Sequence, residues 1–206
     1  MGTLIRHGVA ARCLPGERVS GDAYLVKTNS DRALLAVMDG LGHGEAASAA
    51  AQIAVATLHD HDAGDPATLL QYCHDALKGS RGVAMSLASI NGHDNVLVWL
   101  GVGNVEGLLV QYACDPPRSE RLVTRGGVVG YQLPPLHKAC LPVTAGDLLI
   151  FASDGIRSDF ASVGFLIDPL LKHRDVQQIA DRILADFGKA TDDALVLVVR
   201  YLGETR

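Results

Sequence analysis

Acidic residues at the ends of apolar runs are the chemistry-bearing feature of this 206-residue chain. Asp39 closes the run Ala33-Leu34-Leu35-Ala36-Val37-Met38 and opens Gly40-Leu41-Gly42-His43-Gly44. Asp22 lies in Ser20-Gly21-Asp22-Ala23-Tyr24, Asp154 in Ser153-Asp154-Gly155, and the doublet Asp192-Asp193 precedes a last apolar run. A carboxylate in apolar surroundings is costly unless a cation or hydrogen bonds offset it, and several carboxylates drawn to one place repel one another unless cations intervene. Ligation by oxygen alone, with no paired Cys or His, suits Mg²⁺ or Mn²⁺ rather than Zn²⁺. Two such ions roughly 3.5–4 Å apart, bridged by a carboxylate and a water, would generate hydroxide and neutralise a phosphoryl group during in-line attack. A single ion or a structural ion satisfies the same residues, and Asp39 taken alone reads equally as the cap of a following helix.

Other polar residues have plainer readings. The oxygen leaving a phosphoester is a poor leaving group without a proton. His43 is the candidate near Asp39 in sequence, with capping or packing as its competing role and a metal-held water as the other proton source. His59 and His61, flanked by Asp60 and Asp62, read as a solvated helix end. Gly101, Gly103 and Gly107 miss the dinucleotide-loop spacing, Ser153 is not in a nucleophile elbow, and Trp99 reads as core.

The elements that must position the acids follow from pattern. Val9 to Leu14, Ser20 to Thr28 and Arg32 to Met38 read as strands of one antiparallel meander, which would put Asp22 and Asp39 on neighbouring strands facing one site. Glu45 to Asp60 is alanine-rich and helical, with Ala46, Ala49, Ala50, Ile53, Ala54 and Leu58 on its buried face. Asp65 and Pro66 start a second helix that Gly79 ends. Val83 to Ile90, Asn95 to Val102, Val105 to Tyr112 and Glu120 to Thr124 read as successive hairpins, followed by Leu141 to Val143 and Asp147 to Ala152. Asp175 to Phe187 is an amphipathic helix, and Ala194 to Tyr201 a final strand. The order implies an α+β layered fold, two stacked sheets with helices outside, over residues 1–206 as one domain.

Composition bounds the function. The chain is 48% hydrophobic and 20% charged, which gives it a sizeable core, and its net charge of -5 carries no footprint for nucleic acid. Cys13, Cys73, Cys114 and Cys140 are far apart, as expected of reduced thiols in a cytoplasmic protein. No apolar run is long enough to span a membrane, and the start fits neither a secretion signal nor a myristoylation site.

Taken together, Gly21-Asp22-Ala23-Tyr24, Met38-Asp39-Gly40-Leu41-Gly42-His43-Gly44, Ser153-Asp154-Gly155-Ile156 and Asp192-Asp193-Ala194 resemble, in order, the motifs of the metal-dependent Ser/Thr protein phosphatases (PPM, type 2C) in their compact SpoIIE/RsbX-like bacterial branch. Arg81 to Leu87 and Gly101 to Glu106 are similar to the RsbX-type members. The resemblance implies a four-layer αββα sandwich of two mainly antiparallel sheets, with two Mn²⁺ or Mg²⁺ ions, Mn²⁺ favoured, where the sheets meet. It implies that Asp39 bridges the ions and the Gly40 carbonyl binds one of them. Asp154 and Asp192 would complete the other shell, with Asp193 the alternative to Asp192, and Asp22 would act in or behind the shell. Leu41 departs from the larger relatives, which carry a His there. The resemblance also implies a monomeric, stand-alone enzyme acting on phosphorylated STAS-domain scaffold proteins of a bacterial stress-signalling complex (stressosome). Two other classes compete with that reading: a catalytically silent domain of the same fold that binds a STAS or kinase partner, and a metallohydrolase of small phosphoesters.

Overall fold

The computed structural model describes residues 3–61, 64–161 and 169–203. Among these, one five-stranded antiparallel sheet has the order β2-β3-β4-β5-β8: β2 (Asp22–Thr28), β3 (Arg32–Gly40), β4 (Val83–Asn91), β5 (Val96–Val102) and β8 (Ala139–Pro142). The other has the order β1-β10-β9-β6-β7: β1 (Ile5–Arg12), β6 (Glu106–Gln111), β7 (Arg118–Leu122), β9 (Leu148–Ala152) and β10 (Ala194–Tyr201). Helices α1 (Glu45–Asp60) and α2 (Pro66–Ala76) cover the first sheet, and α3 (Val176–Phe187) covers the second. This is the expected αββα sandwich.

Period-2 alternation divides the strands between layers. In β3, Leu34, Ala36 and Met38 pack beneath α1 and α2, while Ala33, Leu35 and Val37 join the core between the sheets. In β10, Val196 and Val198 face α3, while Leu195, Leu197 and Val199 face the opposite sheet. Trp99 is fully buried between the sheets, its ring 4.9 Å from that of Phe151. A Cβ at Gly107 would lie 2.2 Å from that indole, so the glycine makes room for it. Each large apolar side chain buried this way contributes roughly 1.5–3 kcal/mol.

The helices begin and end where local chemistry directs. Asp175 caps α3, its carboxylate accepting from the Gln177 N–H at 2.9 Å. Pro66 sits in the first turn of α2, where its missing N–H costs nothing. Around α1 the buried set is Ala47, Ala50, Ala51, Ala54 and Leu58, so the expected face is rotated and Ala46, Ala49 and Ile53 face outward. With so many alanines, composition alone does not distinguish one stripe from its neighbour.

Two expected pairings are corrected. β1 is not part of the first meander; it pairs with β10 from Ile5↔Tyr201 to Arg12↔Ala194. The chain crosses between sheets through residues 13–21, and the meander is β2-β3-β4. Likewise β5 and β6 do not form a hairpin: the turn at Gly103, with φ 94, carries the chain to the other sheet. The β4–β5 and β6–β7 hairpins form as expected. Among the described residues no helix is long and apolar enough to cross a membrane, and the four cysteines are unpaired.

Candidate active site

The alternation that sends Ala33, Leu35 and Val37 into the inter-sheet core sends Asp39, two residues on, to the open end of the same face. Asp22 is its direct cross-strand partner, so both carboxylates lie on that face. From the opposite sheet, β9 runs out at Ala152 and Asp154 follows, while β10 starts just after Asp192 and Asp193. The four places the sequence singles out thus meet where the two sheets end together. A cleft of about 360 Å³ opens there, lined by Leu14, Asp39, Leu41, Gly42, His43, Ala84, Asn104, Asp154, Thr191 and Asp192.

Burial and mutual repulsion dominate its electrostatics. Burial pushes the Asp39 carboxyl up to about 8, with the charges of Asp22, Asp154 and Asp192 adding to the rise and a hydrogen bond from Asn104 opposing it. Asp22 is pushed up to about 7, again by burial first, against a hydrogen bond from Ser153 and with the charges of Asp193, Asp154 and Asp192. Asp154 is raised by burial and by Asp192, with Lys189 and Asn104 opposing. Carboxyls this reluctant to ionise together are stabilised in their charged form by a divalent cation. The donor set, all oxygen, fits Mg²⁺ or Mn²⁺. Among the described residues no group of three Asp, Glu, His or Cys side chains is placed to close on one ion; Mg²⁺ commonly takes one or two carboxylates directly and keeps several waters.

The doublet divides its labour. Asp193 is buried, with one oxygen accepting from the Leu14 N–H and the other from the Gly21 N–H, each at 2.8 Å. It therefore pins the crossing segment 13–21 from both ends. Asp192 lines the cleft, and its Oδ1 accepts from the Asp193 N–H at 2.9 Å.

Glycines permit the close approaches around the acids. A Cβ at Gly40 would lie 2.2 Å from the Ala47 carbonyl oxygen, and one at Gly155 would lie 1.8 Å from that of Asp193. Gly44, with φ 72, starts α1 without a side-chain cap. The Glu17 carboxylate lies beside that N-terminus, a favourable place for negative charge, and accepts from His43 Nδ1 at 2.6 Å. A carboxylate only accepts, so Nδ1 carries the hydrogen and Nε2 is left for other work.

Several supporting groups escaped sequence reasoning. Ser153 Oγ donates to Asp22 Oδ2 at 2.6 Å and accepts from the Leu195 N–H at 2.9 Å, tying the acid of one sheet to the backbone of the other. Asn104 Nδ2 donates to Asp154 Oδ2 at 2.7 Å, and Lys189 Nζ to the Asp154 carbonyl at 2.5 Å. Glu17 lies 26 residues from His43, and no local spacing signals the pair. His59 and His61 stay at the end of α1, where His61 bonds the Thr57 carbonyl and stacks on Tyr72.

This αββα architecture is that of PP2C phosphatase domains. The family model described as Stage II sporulation protein E (SpoIIE) matches residues 29–202, and the chain belongs to that family. It is 28% identical over 94 residues to the phosphoserine phosphatase RsbX of Bacillus subtilis (strain 168). That alignment spans 46% of this chain and 47% of RsbX, about half of each. A chain from a structure described as the bacterial stressosome, a modular system adapted to control secondary messenger signalling, superposes with a TM-score of 0.86 at 28% identity, covering 95% of this chain and 99% of that one. RsbX in complex with magnesium superposes with a TM-score of 0.84 at 20% identity, covering 96% of this chain and 95% of that one, which is a likeness of fold.

Proposed function

We propose that this chain is a metal-dependent phosphoprotein phosphatase that removes phosphate from serine or threonine of STAS-domain scaffold proteins in a stress-signalling complex. The observation that carries the reading is Asp39, backed by its cross-strand partner Asp22, sharing one open cleft with Asp154 and Asp192 of the other sheet. The likeness to RsbX supports phosphoserine as the substrate, and the likeness to a stressosome chain supports the signalling context.

Mg²⁺ or Mn²⁺ ions would be held by Asp39, the Gly40 carbonyl, Asp154 and Asp192. When bound, such ions supply an activated water and neutralise charge developing on the phosphoryl oxygens. The chain's own residues do the rest. Asn104 and Ser153 fix the orientations of Asp154 and Asp22, so that little reorganisation accompanies the reaction. As the bond from phosphorus to the serine oxygen breaks, that oxygen needs a proton, and His43 as the imidazolium, held through Nδ1–H by Glu17, delivers it from Nε2–H and is left neutral.

Asp39→Asn and Asp154→Asn test the reading on a phosphoserine STAS protein with saturating Mn²⁺. Each variant is expected to stay folded and lose at least about a hundredfold in turnover, since even residues behind metal ligands are commonly worth 10–100-fold. Wild-type turnover by either folded variant would overturn the proposal. A wild-type chain that binds a phosphorylated STAS protein without turning it over would be a silent binding domain instead. Equal efficiency on small aryl phosphates would identify a small-substrate hydrolase.

A further inference from the structure

The acids account for the cation side of the cleft but leave the outer oxygens of a phosphate ester without a donor, and a positively charged side chain stands at the rim. Arg81 lies in the turn between α2 and β4. Its Nη1 is 3.4 Å from the Leu41 carbonyl oxygen, and a Cβ at Gly42 would lie 2.7 Å from the same nitrogen. Leu41 and Gly42 both line the cleft, so the guanidinium lies beside its rim.

The backbone beneath it is firmly held. Ser80 Oγ donates to the Leu77 carbonyl at 2.7 Å and accepts from the Gly82 N–H at 3.0 Å. Leu41 N–H donates to the Gly82 carbonyl at 3.2 Å, and Val83 exchanges two backbone hydrogen bonds with Val129. Among the described residues Arg81 makes no ion pair, and its bond to Leu41 is long. Two other cationic side chains are already engaged: Lys189 with the Asp154 carbonyl, and Arg121 with Glu106 at 3.0 Å.

We propose that Arg81 seats the substrate, its guanidinium receiving the phosphoryl oxygens that point away from the acids; the assignment rests on the phosphatase reading above. A planar fork of N–H donors matches two phosphate oxygens at once, and a weakly hydrated guanidinium exchanges water for phosphate more readily than an ammonium does. A cation fixed at the entrance draws the dianionic ester toward the cleft and orients it. The group contacts the ester but takes no part in proton transfer, so its loss falls on binding.

Kinetics on a phosphoserine peptide at saturating Mn²⁺ test the assignment, with inorganic phosphate as competitive inhibitor. Arg81→Ala is expected to raise both KM and the inhibition constant of phosphate by about tenfold or more, the loss of a charge-assisted hydrogen bond. Turnover at saturation should stay within about threefold and the melting temperature should not move, because the side chain is exposed and bears no packing. Arg81→Lys should fall between the two, keeping charge without the fork. KM and inhibition constant within about twofold of wild type in Arg81→Ala would overturn the assignment. If the wild-type chain hydrolyses no phosphoester, the phosphatase reading fails, yet calorimetric titration of the Mg²⁺-loaded protein with inorganic phosphate still tests Arg81. Weaker binding by Arg81→Ala would support it; equal binding by both, or none by the wild type, would overturn it.

Discussion

Adjacent aspartates 192 and 193 differ in what surrounds them, and the difference is measurable. Asp193→Ala would leave the buried Gly21 N–H and the half-buried Leu14 N–H unsatisfied and release the segment that links β1 to β2; a loss of about 2 kcal/mol or more in urea unfolding is expected. Asp192→Asn keeps an oxygen for the Asp193 N–H, so stability should stay within about 0.5 kcal/mol while cation affinity falls about tenfold or more by calorimetry. The opposite pattern, with Asp193 governing cation affinity, would exchange the two roles. Ser153→Ala removes the donor that opposes the rise of Asp22 and strands the Leu195 N–H, so a cost of about 1–3 kcal/mol should appear in the same unfolding experiment. For His43, the check is the pH–rate profile: His43→Ala should change it, and an unchanged profile excludes the acid role.

At the scale of elements, the site depends on backbones brought unusually close. Gly155→Ala would drive a Cβ to 1.8 Å from the Asp193 carbonyl oxygen, a rigid neighbour at the start of β10. A loss of more than about 3 kcal/mol is expected, with a visible change in near-ultraviolet dichroism. Gly16→Ala, at a glycine with nothing within 4 Å of a Cβ but with φ 98, should cost only the strain of a left-handed turn, about 1 kcal/mol. What sequence made legible has the same local character. Helix α1 keeps its expected limits, Glu45 to Asp60, because propensity and glycine punctuation act within a few residues. Asp22 opposite Asp39 was readable from one turn at Asn29-Ser30-Asp31. The membership of β1 was not, since it pairs with the last strand, from Ile5↔Tyr201 to Arg12↔Ala194, and no local pattern reaches across nearly the whole chain. Parity along β10 would also have sent Asp193, not Asp192, toward the inter-sheet face; it does lie inward, but against backbone N–H groups of a segment no spacing rule locates. Ser153, Asn104, Glu17 and Arg81 acquire their roles only once distant loops converge.

For the molecule as a whole, the gathered acids couple folding to protons and cations. Asp22 and Asp39 ionise near 3.8 in an unfolded chain but at about 7 and about 8 in the folded, cation-free protein. The folded state therefore holds these protons more tightly than the unfolded one, so the stability they contribute is complete below pH 4 and is lost as pH rises through 7 and 8. Between pH 5.5 and 9, where ordinary carboxylates no longer titrate, the melting temperature of the protein in chelator should fall as pH rises. Saturating Mg²⁺ competes with those protons and binds the ionised carboxylates, so its stabilisation should grow over the same range and flatten or reverse the slope. In Asp39→Asn one source of the slope is gone, and the cation-free variant should melt above wild type at pH 8.5 while gaining little from Mg²⁺. Thermal melts of both proteins at several pH values, with chelator and with Mg²⁺, read all three effects. Parallel pH slopes with and without the cation would separate these carboxylates from cation binding, because a site built to hold a divalent ion cannot ionise its acids on its own and leave folding indifferent to the ion that replaces their protons.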